Sequence, residues 1–271
     1  MHLIKETFLP KEEPEILAVG SGKGGVGKTC FTVNLAITIA QRGWRTILFD
    51  ADLSCSNVET VLGFQCESQL DAFFFQKGAK VLDKVIQDTA FENLRIIPGA
   101  SGLLEAANPR YQLKTALLRE LRKLEADIIL IDLDAGAHFN TLDFFLLAAD
   151  SGVLVINPER TSIDNAFKFL RSALFRRITR FYNSREVGLL LKHCDSFSEF
   201  VECVYASEYL DKETRVQVVT EMTALAQAMR PRIVVNKANN VYEAKIAANI
   251  LCKHTRKHLL IEPELLGHLY S

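Results

Sequence analysis

The sequence predicts an α/β fold: a doubly wound, mainly parallel sheet of about seven or eight strands with helices on both faces. Three observations carry this. Short apolar runs alternate with segments of helical periodicity along most of the 271 residues. That alternation is the mark of a parallel sheet covered on both sides. A glycine-rich turn, "GSGKGGVGKT" (20–29), joins the first apolar run to the first helical segment.

The elements follow in order. "EILAVGS" (15–21) is a strand running into the glycine loop. Thr29 to Gln41 reads as a helix, with Phe31, Leu35 and Ile39 at helical spacing and Gly43 ending it. "RTILFDAD" (45–52) is a strand that ends in acids. "NLRIIPGA" (93–100), "ADIILIDLDAG" (126–136) and "SGVLVINPE" (151–159) are further strands. "RPRIVVNKAN" (230–239) and "ELLGHLY" (264–270) complete the set. Helical stretches fit between them around 57–77, 103–124, 141–149, 163–182 and 241–257. Residues 184–229 are too many for a plain loop, so two extra helices are expected there. The organisation expected is one domain over 1–271 with a helical insertion at about 184–229. The chain ends one residue after its last predicted strand, where a covering helix would ordinarily follow. A truncated form is expected, with an unusually short natural chain as the other reading.

Composition narrows the classes. Hydrophobic residues make up 48% and charged residues 24%, as in a soluble globule with a sizeable core. Lys plus Arg number 32 against 33 Asp plus Glu, so any basic surface must be local. Six scattered cysteines without a C-x-x-C pair read as reduced thiols of a cytoplasmic protein. The N-terminus lacks a basic region followed by an apolar run, so it does not read as a signal peptide. No apolar run approaches the roughly 20 residues of a membrane span.

The chemistry lies in "GKGGVGKT" (22–29), which fits G-x-x-x-x-G-K-[ST] between a strand and a helix. Gly22, Gly24, Gly25 and Gly27 let backbone N–H groups turn inward around phosphate oxygens. The helix start adds its positive end. Val26 and Cys30 complete the candidate phosphate-binding set. Lys28 would reach the β- and γ-phosphates, and Thr29 would hold Mg²⁺. A second lysine, Lys23, has no clear role within one chain. On spacing alone it is equally an exposed lysine on the loop rim.

K-G-G-x-G-K-[ST] resembles the deviant phosphate-loop signature of the MinD/ParA family of ATPases, P-loop NTPases of the SIMIBI type. The resemblance implies that Lys23 crosses to the partner subunit's nucleotide in an ATP-sandwich homodimer and stabilises charge on the transferring phosphate. ATP and Mg²⁺ are the implied cofactors. "FDADLSCSNVETVLG" (49–63) stands where the family has its first switch. By resemblance Asp52 orients the attacking water, Asp50 belongs to the Mg²⁺ environment, and Asn57 contacts nucleotide across the dimer. Leu53-Ser54-Cys55 stands where Gly-Leu is common in the family.

"IILIDLDAGAHFNTLDFFLLAAD" (128–150) is similar to the second switch. Four apolar residues lead to Asp132, as in a strand that delivers one carboxylate to a metal's hydration shell. Gly136 would let the backbone approach the γ-phosphate. Asp134 stands where the family commonly has Gly or Pro. It could point away, help a metal or slow hydrolysis.

"VLVINPERTSIDNAFKFLRSALFRR" (153–177) resembles the P-E-P-T-S-I-x-[DN]-A-Y segment of the FlhG-type ATPases close to MinD, with Arg160 and Phe167 as departures. Asn236 of "RIVVNKA" occupies the position of the family's adenine-reading Asn. An amide there suits adenine because it donates and accepts together. Pro158 and Glu159 lie at a strand's C-terminal edge, where α/β ligands bind. The resemblance covers about residues 15–180 and 230–270. It implies an ATP-hydrolysing dimerisation switch that positions or counts a structure such as a flagellum or division site. A protein partner is implied, and a cytoplasmic location, with membrane or pole as a peripheral possibility. A ParA-like DNA-binding partition protein and a low-turnover ATP-sensing scaffold are the rivals.

One further pattern stands out. On the helix at 164–182, Phe167, Leu170, Leu174, Ile178 and Phe181 share one face. Lys168, Arg171, Arg176, Arg177 and Arg180 gather toward the other. This is either a solvated basic face or a docking surface for a protein, DNA or anionic lipid.

Overall fold

The structure is a computed structural model that describes residues 13–52, 57–67, 70, 82–99, 111–148, 152–182, 185–191 and 193–271. The strands are β1 (Glu15–Ser21), β2 (Thr46–Ala51), β3 (Gln87–Asp88), β4 (Leu94–Ile97), β5 (Ile128–Ala135), β6 (Val153–Ile156), β7 (Arg232–Ala238) and β8 (Glu264–Tyr270). They form an eight-stranded sheet in the order β3-β4-β2-β5-β1-β6-β7-β8. The pairs β1–β6, β2–β4, β6–β7 and β7–β8 are parallel. Only β3 runs antiparallel to its neighbour β4 among these pairs. Its two residues, Gln87 and Asp88, carry no apolar run, and it is absent from the strands expected above. Every residue of β2 and of β6 is buried, which is why both read as unbroken apolar runs.

The helices are α1 (Lys28–Gln41), α2 (Val58–Leu62), α3 (Leu82–Val85), α4 (Tyr111–Leu121), α5 (Phe139–Ala148), α6 (Arg160–Tyr182), α7 (Arg185–Leu191), α8 (Phe197–Ala206), α9 (Lys212–Gln227) and α10 (Val241–Leu259). The helix expected over 57–77 is much shorter among the described residues. Gly63 ends α2 in the left-handed region (φ 67°), its N–H reaching back to Glu59 and Thr60 carbonyls. The rest of that stretch and the start of the one at 103–124 lie largely outside the described residues. The insertion holds three helices, α7 to α9, where two were expected. The caps Ser196 and Asp211 start α8 and α9, each accepting from the N–H three residues on.

The chain falls into two compact units, Met1–Leu17 with Thr29–Asp132, and Ala18–Lys28 with Leu133–Ser271. In the first, Val33, Ala36 and Ala40 of α1 pack with Leu48, Val58, Leu94, Ile96 and Leu130 in one buried cluster. In the second, α6 buries Ile163, Ala166, Phe169, Leu170, Ala173, Leu174 and Ile178. That face is rotated from the expected one: Phe181 is 57% exposed and Phe169 takes a core place.

Candidate functional site

In the unit containing Ala18–Lys28, β1 hands the chain to the glycine loop and α1 begins at Lys28. The loop's glycines are required for different reasons. A Cβ on Gly22 would collide with the backbone of Asn165, where α6 approaches closely. Gly27 has φ +86°, and a Cβ there would strike the Asn236 amide. Gly25 has φ +78°, a conformation L side chains rarely adopt. Nothing lies within 4 Å of a Cβ on Gly24, so that position faces open space.

β7 braces the loop from behind. Asn236 Nδ2 donates to the Val26 carbonyl at 2.8 Å, and Lys237 Nζ donates to the Gly25 carbonyl at 3.0 Å. Asn236 Oδ1 accepts from the Lys237 N–H at 2.9 Å. Oriented with its nitrogen toward the loop, the buried Asn157 amide donates to the Val26 carbonyl at 3.2 Å and the Asn236 carbonyl at 3.3 Å. Asn157 and Lys237 were missed by sequence reasoning, although both sit beside quoted residues. The signal for each was an amide or ammonium at the C-terminal end of a parallel strand. Val26 is buried and Cys30 exposed. Lys28 is 7% exposed at the first position of α1. The Gly136 N–H donates to the Ser21 carbonyl at 2.8 Å, with Gly136 at φ +87°.

Lys23 has partners in its own chain. Its Nζ donates to Glu159 Oε2 at 2.5 Å and to Thr161 Oγ1 at 3.1 Å. The hydrogen bond and charge of Lys23 hold the Glu159 carboxyl below the usual carboxylate range. Pro158 is half-buried and Glu159 exposed at the end of β6.

In the unit containing Thr29–Asp132, two of the three metal candidates, Thr29 and Asp132, are in contact. Thr29 Oγ1 donates to Asp132 Oδ2 at 2.8 Å, and Thr32 Oγ1 donates to Asp132 Oδ1 at 2.8 Å. Asp132 is 1% exposed. Asp50 is fully buried and accepts from the Asp52 N–H at 3.0 Å and the Val58 N–H at 3.2 Å. It therefore holds the Asp52 backbone and the first residue of α2 at the end of β2. Asn57 is exposed at the N-cap of α2 without capping it through its side chain. Leu53, Ser54 and Cys55 lie outside the described residues. A threonine hydroxyl and a carboxylate are the hard oxygen donors Mg²⁺ takes. Thr29 and Asp132 therefore fit a divalent metal of the kind a nucleoside triphosphate carries.

A family described as an AAA domain (AAA_31) matches residues 14–184. The chain belongs to this family, in its MinD/ParA branch. The septum site-determining protein MinD of Buchnera aphidicola is 31% identical over 158 residues, covering 57% of each chain. The antiactivator FleN of Pseudomonas aeruginosa is 31% identical over 159 residues, covering 58% of this chain and 55% of its own. The chain spans about half the length of the curated relatives it matches. The MinC:MinD cell division protein complex of Aquifex aeolicus shares the fold, with a TM-score of 0.55 at 20% identity, covering 94% of this chain and 81% of that one.

In this MinD/ParA chain the basic side of α6 is largely committed internally. Arg176 Nε donates to Asp143 Oδ1 of α5 at 2.9 Å, and Arg180 also pairs with Asp143, whose side chain is 1% exposed. The Arg176 guanidinium lies over the Phe139 ring, 4.9 Å from its centroid. Arg171 pairs with Asp195 of the insertion. The expected free basic face is thus corrected: three of its five cations hold α6 to neighbouring elements. Asp134 turns onto its own backbone, Oδ1 accepting the Ala135 N–H at 2.6 Å. Among the described residues, no helix is long and apolar enough to cross a membrane.

Proposed function

We propose that this chain is an ATP-binding and ATP-hydrolysing dimerisation switch of the MinD/FlhG type. The observation that carries the reading is the division of labour between two lysines. Lys28 is buried at the start of α1, where a lysine serves its own loop. Lys23 sits at the loop rim on an exposed carboxylate, a position from which it can be transferred.

Bound ATP·Mg²⁺ would supply the transferable phosphoryl group and the metal charge. Gly24, Gly25, Val26 and Gly27 would present backbone N–H groups to the phosphates, with Lys28 neutralising them. Thr29 and Asp132 would hold the metal's shell, and Asp50 would keep Asp52 at the position from which it orients water. Asn236 would serve adenine from the residue that already braces the loop. Lys23 would leave Glu159 and stabilise charge on the partner copy's nucleotide, the logic of a cation delivered only on assembly. Gly136 and Asn57 would respond to the γ-phosphate and to the partner's nucleotide. ATP then sets the dimer population and hydrolysis resets it. Relatives named for septum-site determination and as an antiactivator support a positioning or counting task, exercised through a protein partner.

Light scattering with ATP·Mg²⁺, paired with phosphate release, tests this. Asp52→Ala should form a stable dimer and lose turnover. A monomer at high protein concentration, or wild-type turnover no higher than that of Asp52→Ala, would count against it.

A further inference from the structure

The geometry points to Thr32 as a positioning residue for the metal site, acting through Asp132; this rests on the ATP·Mg²⁺ reading above. Thr32 lies three residues beyond Thr29, so both hydroxyls fall on the same side of α1. They divide one carboxylate between them: Thr29 donates to Oδ2 and Thr32 to Oδ1, each at 2.8 Å. Thr32 is 0% exposed and Asp132 1%.

A threonine inside a helix ordinarily returns its hydroxyl to the carbonyl four residues back. Thr38, Thr179, Thr220 and Thr223 do so here, at 2.7 to 2.8 Å. Thr32 directs its hydroxyl across to Asp132, on a strand 100 residues away in the chain. A β-branched residue in a helix interior adds no propensity of its own, so its place is explained by that contact.

The consequence concerns rotation. A carboxylate held at one oxygen can swing the other out of place. With Oδ1 fixed by Thr32, Oδ2 stays on the side of Thr29. The Thr29 hydroxyl keeps its hydrogen on Oδ2, and its oxygen is the donor a bound metal would take. Thr32 needs no contact with nucleotide or metal to act in this way. Groups that orient a metal's partners typically change metal affinity by about 10- to 100-fold when removed.

The test is a titration of Mg²⁺ against binding of a fluorescent, non-hydrolysable ATP analogue. Thr32→Val keeps the shape and removes the hydroxyl. It should raise the half-saturating Mg²⁺ concentration about tenfold or more, leave binding in EDTA unchanged, and Thr32→Ser should restore the wild-type midpoint. A purely structural hydroxyl would lower the melting temperature and leave the Mg²⁺ midpoint where it was, and that result overturns the assignment. Thr32→Ala carries the same comparison if the valine variant does not fold. A wild-type chain whose nucleotide binding ignores Mg²⁺ overturns the ATP·Mg²⁺ reading itself, which separates the two failures.

Discussion

Lys23 donates to Glu159 at 2.5 Å, joining two residues 136 positions apart in the chain. The bond ties the rim of the glycine loop to the segment that follows β6, the same segment that starts α6. On the proposed reading, a lysine so engaged must be released before it can serve a second copy, so Glu159 would compete with dimerisation. The pair is exposed, and exposed pairs are weak. In an Asp52→Ala background, Glu159→Gln should lower the protein concentration at half-dimerisation by a few-fold in ATP. Added salt should narrow the difference. Weaker dimerisation in light scattering would show that Glu159 supports the dimer directly.

Asp143 should matter for folding more than any surface acid. It is a buried carboxylate shared by Arg176 and Arg180. Removing it leaves two cations in a site built for three charges. Asp143→Ala should therefore cost about 3–5 kcal/mol in urea unfolding. A loss below about 1 kcal/mol would mean the arginines find water at little cost. The same geometry dictates how DNA binding should be probed. Reversing Arg176 disturbs the α5–α6 packing, so Arg177 is the informative position on that helix.

The legible and illegible parts of this molecule divide along physical lines. β1 and β8 were placed to the residue: β1 is a largely buried run that ends at the glycine loop, and β8 is a partly exposed apolar run that begins just after Pro263. The loop was legible because glycine, lysine and threonine at fixed spacing serve one chemistry. Gln87 and Asp88 were not, since a two-residue edge strand buries almost nothing and leaves no pattern. Charge partners were equally hidden: nothing in the order of residues says that Arg176 faces Asp143 or that Lys23 reaches Glu159. Thr32 was overlooked because its acceptor lies 100 residues away on β5.

A pH effect follows from Asp127. It accepts from Arg45 Nη2 at 2.7 Å, Arg45 Nε at 3.2 Å and the Arg45 backbone N–H at 2.8 Å. The side-chain hydrogen bond to Arg45 holds its carboxyl below the ordinary value, against the opposing effect of burial. A lowered folded value means that the ionised form is the stabilising one. Its contribution is complete above about pH 4 and is lost as pH falls through the lowered value. Asp127→Asn should be less stable than wild type at pH 7. The gap in melting temperature should close in acid; a gap independent of pH would remove the ion pair as its cause.

The central claim is that Lys23 works on the other copy's nucleotide, and mixing two inactive variants tests it most directly. Lys23→Ala lacks the donated cation and Asp52→Ala lacks the water-orienting carboxylate. Each alone should release almost no phosphate while still binding ATP. In a mixed dimer, the Lys23→Ala chain keeps its own Asp52 and receives Lys23 from its partner, completing one site. Equal mixtures should regain up to about a quarter of wild-type turnover, since half of randomly formed dimers are mixed and each has one complete site of two. No recovery on mixing, with heterodimers present by light scattering or crosslinking, would contradict delivery of Lys23 between copies.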